Sequence, residues 1–204
     1  MAELTITTFV SIDGVMQAPG GPQEDRSGGF ELGGWVFPIA DAGMGAAIVD
    51  IFGKADAFLL GRGTYDTFAA HWPRVTDPHD PVAAKLNRLP KFVASRKRRA
   101  FDWHASNLVA DVVAEVPRLK QRFHGEVQVH GSWGLAQTLI QHDPIDEYRI
   151  MTFPVVLGTG KRLFGSGAMP ASLQLVRSHS TEKGIVISVY RRAGPLKTGS
   201  FALD

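Results

Sequence analysis

The segment from Glu126 to Phe153 constrains the fold of this chain most, because it has the pattern of a strand, a glycine turn, a helix and a second strand. The first strand is the β-branched run 126–130, and the turn follows at Gly131–Gly134. Apolar residues at helical spacing then lead to Pro144, and residues 147–153 predict the second strand. This order is typical of a βαβ unit with parallel strands, and it predicts an α/β fold.

The glycine turn of this unit lies between the carboxyl end of a strand and the amino end of a helix. Free backbone N–H groups and the positive end of the helix dipole favour an anion at such a place, and glycine lets a phosphate approach the backbone. The structural alternative is that Gly131 and Gly134 only allow the helix to pack closely on the strand. The turn alone does not decide between the two.

A second junction of the same kind lies earlier in the chain. Residues 57–60 predict a short buried strand that ends at the turn Gly61–Gly63. Thr64 is placed to cap a helix that runs to about Ala70. Since parallel strands end at the same edge of a sheet, we expect the two glycine turns to lie close together.

The remaining segments continue the alternation of strands and helices, and a β-hairpin closes it. They predict strands at 4–12, 91–94 and 108–109, helices at 44–52, 82–89 and 112–123, and hairpin strands at 173–180 and 185–191. This order predicts an α/β domain with a mostly parallel mixed sheet, helices on both faces and an antiparallel C-terminal hairpin. We place the domain at residues 1–192 and a loose tail at 193–204.

The composition excludes several classes of function. The chain has no cysteine, which excludes disulfides, thiolate metal sites and a cysteine nucleophile. Its seven histidines lack ligand spacing, so we predict no metal site. The net charge of +2 favours neither nucleic acid nor a membrane surface, and no apolar run approaches the roughly 20 residues of a membrane span. Because the start of the chain lacks the pattern of a signal peptide, we expect a cytoplasmic protein.

The two common sequence devices for binding nucleotides are missing. In the pattern Gly-x-Gly-x-x-Gly, the last glycine is replaced by Asp66 after one glycine pair and by Leu163 after the other. Gly160-Lys161 is followed by Arg162 and lacks the spacing of a Walker sequence. A nucleotide bound by this chain is therefore held in another way.

Three segments around the opening unit resemble the end of the dihydrofolate reductase fold, namely 129–134, 146–150 and 154–164. The closest resemblance is to the reductase domain of bacterial riboflavin biosynthesis, and it extends over residues 4–190. It implies a three-layer αβα sandwich of dihydrofolate reductase type. It also implies an NADPH-dependent reductase that transfers a hydride to a small heterocyclic, pyrimidine- or pteridine-like, or carbonyl substrate.

The resemblance also implies which residues bind the cofactor. Arg62 and Thr64 match residues that contact the cofactor phosphates, and Ser95 and Arg96 match the strand end that holds the adenosine 2′-phosphate. A hydroxyl and a cation suit a phosphate dianion. In contrast, we interpret Lys97, Arg98 and Arg99 as a solvated basic turn. The pyrophosphate turn is matched by Gly131, Ser132, Trp133, Gly134 and Leu135, with Ser132 at a place where the family often has glycine.

The substrate side is less determined by the sequence. Asp13 and Asp41 are candidate catalytic carboxylates, but a turn-stabilising role for Asp13 and a helix N-cap role for Asp41 are equally open. The Gly- and Pro-rich loop 17–34 predicts a lid over the substrate, and the aromatics Phe30, Trp35 and Phe37 in and beside it are expected to shield the nicotinamide from water. The alternative is an inert surface insertion.

The functional alternative is a non-catalytic nucleotide- or ligand-binding protein that keeps the fold. The C-terminal hairpin is expected at a sheet edge, with apolar side chains on both faces, and such edges are usually covered. We therefore expect a homodimer in either case, with a small molecule as the other partner.

Overall fold

A computed structural model describes residues 1–97, 100–165 and 168–202 of the chain. Arg98 and Arg99, in the predicted basic turn, lie outside the described residues. Within this part, eight strands and five α-helices follow one another along the chain. The strands are β1 (Glu3–Ser11), β2 (Ala55–Gly61), β3 (Lys91–Ala94), β4 (Ser106–Val109), β5 (Glu126–His130), β6 (Glu147–Phe153), β7 (Ala171–Ser180) and β8 (Val186–Pro195). The helices are α1 (Ala42–Gly53), α2 (Arg62–His71), α3 (Pro81–Arg88), α4 (Val112–Arg122) and α5 (Trp133–His142).

The strands form one mixed sheet in the order β4-β3-β2-β5-β1-β6-β8-β7. All pairs among β1 to β6 are parallel, and β8 pairs antiparallel with both β6 and β7. The predicted βαβ unit is present, with β1 inserted between its strands β5 and β6. Because β1, β2, β3 and β5 run in the same direction, their carboxyl ends lie along one edge of the sheet.

Helices cover both faces of this sheet. The side chains of α4 and α5 pack on one face, where Leu119 and Leu139 join a core with Leu4, Ile6 and the valines of β5. The helices α1, α2 and α3 contribute to the cores of the other face. The predicted three-layer architecture is therefore confirmed, because each helix buries one apolar stripe against the sheet.

Two predicted boundaries differ from the structure. Helix α2 begins at Arg62 with Gly61 as its N-cap residue, so Thr64 lies in the first turn of the helix and does not cap it. Strand β8 continues to Pro195, three residues into the segment predicted as a tail. The other predicted helices and strands, including the C-terminal hairpin, are present within a few residues of their predicted bounds. In the described part of the chain, no helix is both long and apolar enough to cross a membrane.

Candidate functional site

A cleft of about 1600 Å³ lies at the carboxyl ends of β1, β2, β3 and β5. On one side, which we call the glycine-turn side, it is lined by Gly61–Thr64, Ala94–Arg96 and Gly131–Leu135. On the other, the α1 side, it is lined by Met44, Ile48, Ile51 and Phe52. All nine residues predicted to bind a cofactor line this cleft, so the fold brings together positions that lie far apart in the sequence. Their role in binding stays a prediction.

Two helices begin at the cleft without a side-chain cap. Asp41, Asp80 and Asp111 cap α1, α3 and α4 by accepting hydrogen bonds from backbone N–H groups of the first turn. In contrast, α2 begins after Gly61 and α5 after Ser132 with no hydrogen bond from the capping side chain. The first N–H groups of these two helices therefore remain available to an anion, and the two helix dipoles favour one.

Ser132 connects the two glycine turns. Its hydroxyl accepts a hydrogen bond from the N–H of Gly61 at 2.9 Å and donates one to Oγ1 of Thr64 at 2.7 Å. The residue adopts a left-handed backbone conformation, with φ at 57°. The contact is close: a Cβ atom on Gly61 would lie 3.1 Å from both Cβ and Oγ of Ser132. The departure from glycine at Ser132 thus ties the start of α5 to the start of α2.

The charged residues of the glycine-turn side differ in their engagement. The Arg62 guanidinium forms an ion pair with Asp66 at 2.7 Å, one turn further along α2, and remains half exposed. Arg96 is exposed at the end of β3, and the backbone N–H of Ser95 donates to Val109 of the neighbouring strand at 3.2 Å. Both cations can reach an anion in the cleft, Arg62 by exchanging its carboxylate partner.

Trp133 and Leu135 have different roles at the start of α5. The Leu135 side chain is buried in the core between helix and sheet, so its backbone rather than its side chain faces the turn. The Trp133 indole N–H donates to the carbonyl of Arg162 at 3.1 Å, and the Lys161 ammonium lies 5.2 Å from the centre of the ring. Trp133 therefore packs α5 against the segment that follows β6.

Neither Asp13 nor Asp41 lines the cleft. Asp13 accepts hydrogen bonds from the N–H groups of Leu157 and Gly158 and from the Ser11 hydroxyl, which hold its pKa well below the ordinary range. Asp41 caps α1, and hydrogen bonds from Thr181, Lys183 and the helix lower its pKa. The N-cap role left open for Asp41 is confirmed, whereas Asp13 ties the end of β1 to the distant residues 157 and 158. The structure brings neither carboxylate to the cleft.

The loop 17–34 contributes one wall of the cleft, but its neighbouring aromatic side chains do not face the cleft. Within this loop, residues 17–21, Glu24, Asp25 and Ser27 line the cleft. Phe30 and Trp35 are buried in the core beneath α1, and Phe37 is 84% exposed, so the expectation that these aromatics face the site is wrong. Gln17 holds this wall in place. Its side-chain NH₂ group donates hydrogen bonds to the carbonyls of residues 25 and 27, and its side-chain oxygen accepts one from the N–H of Lys161.

Carboxylates that sequence reasoning missed lie in this wall. Asp25 forms an ion pair with Lys161 at 2.6 Å. Glu24 is solvent-exposed and accepts from the N–H of Gly20 at 2.6 Å; partial desolvation at the cleft raises its pKa, although the N–H groups of Gly20 and Gly21 oppose the shift. No sequence signal singles out Glu24, because its surroundings depend on how the loop folds back on itself. Across the described residues, no group of three or more His, Asp or Glu side chains could hold a metal ion.

A second missed feature is a polar row beneath the α1 side. His130 lines the cleft, and its Nε2 lies 3.0 Å from Oε1 of Gln128. The side-chain NH₂ group of Gln128 donates a hydrogen bond to the Glu126 carboxylate at 2.7 Å. Arg149 donates two more hydrogen bonds to this carboxylate, at 2.6 and 2.7 Å. The signal was present in the sequence as polar residues at every second position of β5, which places them on one face of the strand.

Comparison with known proteins defines the family. Residues 2–187 match the family model of the RibD C-terminal domain. The chain belongs to this family. Like the resemblance derived from the sequence, this places it among reductase-like proteins related to riboflavin biosynthesis.

This RibD C-terminal domain protein is 29% identical over 158 residues to YyaP of Bacillus subtilis (strain 168), an uncharacterized protein, covering 76% of this chain and 83% of YyaP. It shares its fold with a Thermotoga maritima diaminohydroxyphosphoribosylaminopyrimidine deaminase/5-amino-6-(5-phosphoribosylamino)uracil reductase, with a TM-score of 0.62 and 14% identity over 94% of this chain and 57% of that one. It also shares it with Enterococcus faecalis dihydrofolate reductase complexed with NADP(H), with a TM-score of 0.60 and 11% identity over 94% and 96%. The predicted dihydrofolate reductase-like fold is confirmed.

Proposed function

We propose that this protein is an NADPH-dependent reductase that transfers a hydride to a small heterocyclic, pyrimidine- or pteridine-like, or carbonyl substrate. The observation that carries the proposal is the meeting of two uncapped helix starts, α2 and α5, in one cleft with the end of β3. Membership in a reductase-like family supports it, as does the dihydrofolate reductase that shares the fold and is complexed with NADP(H).

The residues of the glycine-turn side suit a dinucleotide with three phosphates. The N–H groups at the starts of α2 and α5 and the Thr64 hydroxyl would hold the pyrophosphate, since Thr64 accepts from Ser132 and keeps its own proton to donate. Ser95 and Arg96 would hold the 2′-phosphate with a hydroxyl and a cation. The turns leave space for the ligand, because a Cβ on Gly63 or Gly134 would meet no protein atom within 4 Å beyond its chain neighbours and the backbone of its own helix turn.

Bound in this way, NADPH supplies the hydride, and the chain's own residues position both reactants. The apolar side chains of α1 and the wall formed by residues 17–27 exclude water from the α1 side. A proton must also be supplied, and Glu24 is the cleft carboxylate whose pKa is raised. We assign Glu24 this role because Asp25 is engaged with Lys161 and Asp111 caps α4.

Titration with NADPH and NADH tests the proposal. We expect NADPH to bind at least about tenfold more tightly, because one charge-assisted contact to the 2′-phosphate contributes roughly 1.5–3 kcal/mol. Arg96→Ala should remove most of this preference and leave NADH affinity nearly unchanged. Lys97→Ala is the matched control, since the neighbouring Lys97 does not line the cleft. Equal affinities of the wild-type protein for the two cofactors would refute the proposal.

One observation favours the non-catalytic alternative: neither carboxylate singled out from the sequence reaches the cleft. The two functions differ in one measurement, the loss of NADPH absorbance in the presence of substrate candidates. A reductase oxidises NADPH with at least one quinone, enone or heterocycle of a broad panel. A protein that binds NADPH and oxidises it with none would support the alternative.

A further inference from the structure

The α1 side of the cleft offers a ligand one hydrogen-bonding edge within an apolar surface. Its walls include Phe9 from β1 and the four side chains of α1, all of them apolar. The only charged residue of α1, Asp50, is exposed on the outside, where it pairs with Lys54. An ionised ligand would lose its hydration here without gaining a partner from α1, whereas an uncharged ring would not.

His130 forms the polar part of this surface. Its ring stacks on Phe52, with centroids 4.3 Å apart and an interplanar angle of 16°. Its Nδ1 has no hydrogen-bond partner among the described residues. In this part of the chain, the unpaired side-chain atoms that are also fully buried are Oγ1 of Thr5, Oγ1 of Thr7 and Oγ of Ser106. Nδ1 is not one of them and is therefore accessible. Because His130 lines the cleft, Nδ1 is the ring atom left to reach a ligand.

The network beneath His130 fixes which nitrogen carries the proton. Nε2 of Gln128 lies 2.6 Å from the carbonyl of Ile51 and 2.7 Å from the carboxylate of Glu126, two groups that only accept. Oε1 of Gln128 must therefore face His130, and Nε2 of His130 must be the donor in the 3.0 Å contact. In the neutral ring, Nδ1 then has a free lone pair and can only accept.

The charges of the network keep Glu126 ionised and His130 neutral. Burial opposes ionisation of Glu126, but the bonds from Arg149 outweigh it and hold the pKa of the carboxyl below its ordinary value. Burial, with a smaller contribution from the charge of Arg149, lowers the pKa of His130 to about 3. At neutral pH the ring is uncharged, so it serves as an acceptor rather than as a proton donor.

A second unused polar group lies beside His130. Thr7 of β1 is the register partner of His130, so both side chains lie on the same face of the sheet. The Thr7 side chain is buried, lines the cleft, and has no hydrogen-bond partner for its hydroxyl. The hydroxyl itself is fully buried and out of a ligand's reach, so Nδ1 of His130 is the polar atom of this pair that a ligand can contact.

We propose that the α1 side of the cleft binds a flat, uncharged heterocycle that donates an N–H hydrogen bond to Nδ1 of His130. This inference rests on the proposed function, because it assigns the α1 side to the substrate and the glycine-turn side to NADPH. His130 is then a specificity-determining residue: it selects rings with a lactam or imide N–H over N-alkylated rings. Rings that carry a phosphate or carboxylate at this place bind more weakly than uncharged ones.

A pair of probes tests the inference: quinazoline-2,4-dione, which has imide N–H groups, and its 1,3-dimethyl derivative, which has none. Their affinities are measured by ligand-observed NMR with and without saturating NADPH. The wild-type protein should bind the N–H form about three- to tenfold more tightly, the range expected for one neutral hydrogen bond. His130→Gln retains a group that reaches Gln128 but lacks an acceptor at the δ position, so it should bind both probes equally.

His130→Asn is the rescue variant, because its amide oxygen lies near the position of Nδ1 and should restore part of the preference. His79→Gln, at an exposed position outside the cleft, is the matched control and should keep the wild-type preference. Thermal unfolding of each variant verifies that it folds, and the wild-type comparison of the two probes needs no variant.

The inference is overturned if the wild-type protein binds the two probes equally or binds neither, or if folded His130→Gln keeps the preference. It is also overturned if His130→Gln weakens NADPH rather than the probe, since the nitrogen then serves the cofactor. Failure of the proposed function has a different signature, which is a preserved preference between the probes in a protein that does not bind NADPH.

Discussion

The hydroxyl of Ser132 should stabilise the fold by joining the two glycine turns, and replacing it tests this directly. Ser132→Ala removes two neutral hydrogen bonds, to Gly61 and Thr64, each worth about 1 kcal/mol. We therefore expect a loss of about 2 kcal/mol in the free energy of unfolding. Ser132→Gly loses the same bonds but relieves the left-handed backbone, which costs a non-glycine residue about 1 kcal/mol. Its loss should be about 1 kcal/mol.

Urea denaturation of the wild-type protein and both variants measures these differences, provided that the slope with denaturant stays constant. Ser180→Ala, on the exposed strand β7, is a control for serine replacement in general. A Ser132→Ala variant as stable as the wild-type protein would contradict a stabilising role of the Ser132 hydroxyl. A glycine variant less stable than the alanine variant would contradict strain in the backbone at Ser132.

Three further predictions concern single residues of the cleft. Gly61→Ala should lower the free energy of unfolding by about 1–3 kcal/mol, because its Cβ would crowd Ser132. Gly63→Ala has open space around it and should not lower the stability, so equal stabilities of the two variants in urea would contradict this. His130 is neutral in the folded protein but gains a proton below about pH 6.5 when the chain is unfolded. Between pH 6.5 and 5 the free energy of unfolding of the wild-type protein should therefore fall by about 2 kcal/mol more than that of His130→Gln, and parallel profiles of stability against pH would contradict this. With any substrate that the wild-type protein reduces, its rate should decline as pH rises through the raised pKa of Glu24. Glu24→Gln should lower turnover and remove this decline, and an unchanged pH profile would exclude Glu24 as the proton source.

Local signals in the sequence were sufficient for most of the fold. The cap at Asp41 and the strand pattern of β5 depend on neighbouring residues, and both are found where they were predicted. The start of α2 was predicted wrongly for a physical reason: the Thr64 hydroxyl, which looks like a cap, instead accepts from Ser132, 68 residues away. Such a contact exists only after the sheet has brought β2 and β5 together.

The candidate site could be predicted only where a motif carried it. The residues predicted to bind the cofactor were chosen through the resemblance; the fold places all of them around one cleft, and their role stays a prediction. The role of Asp13 could not be found in this way, because its hydrogen bonds lead to residues 157 and 158 on a distant loop. The row of Glu126, Gln128 and His130 was visible as a period of two, but its charge partner Arg149 comes from another strand. The homodimer and the cytoplasmic location stay predictions.

The central claim is that the two uncapped helix starts hold the phosphates of NADPH, and a crystal structure of the protein grown with NADPH tests it most directly. We predict the pyrophosphate between the first turns of α2 and α5, the 2′-phosphate within hydrogen-bonding distance of Ser95 and Arg96, and the nicotinamide facing the α1 side. A cofactor bound elsewhere, or a cleft that remains empty at saturating NADPH, would contradict the account.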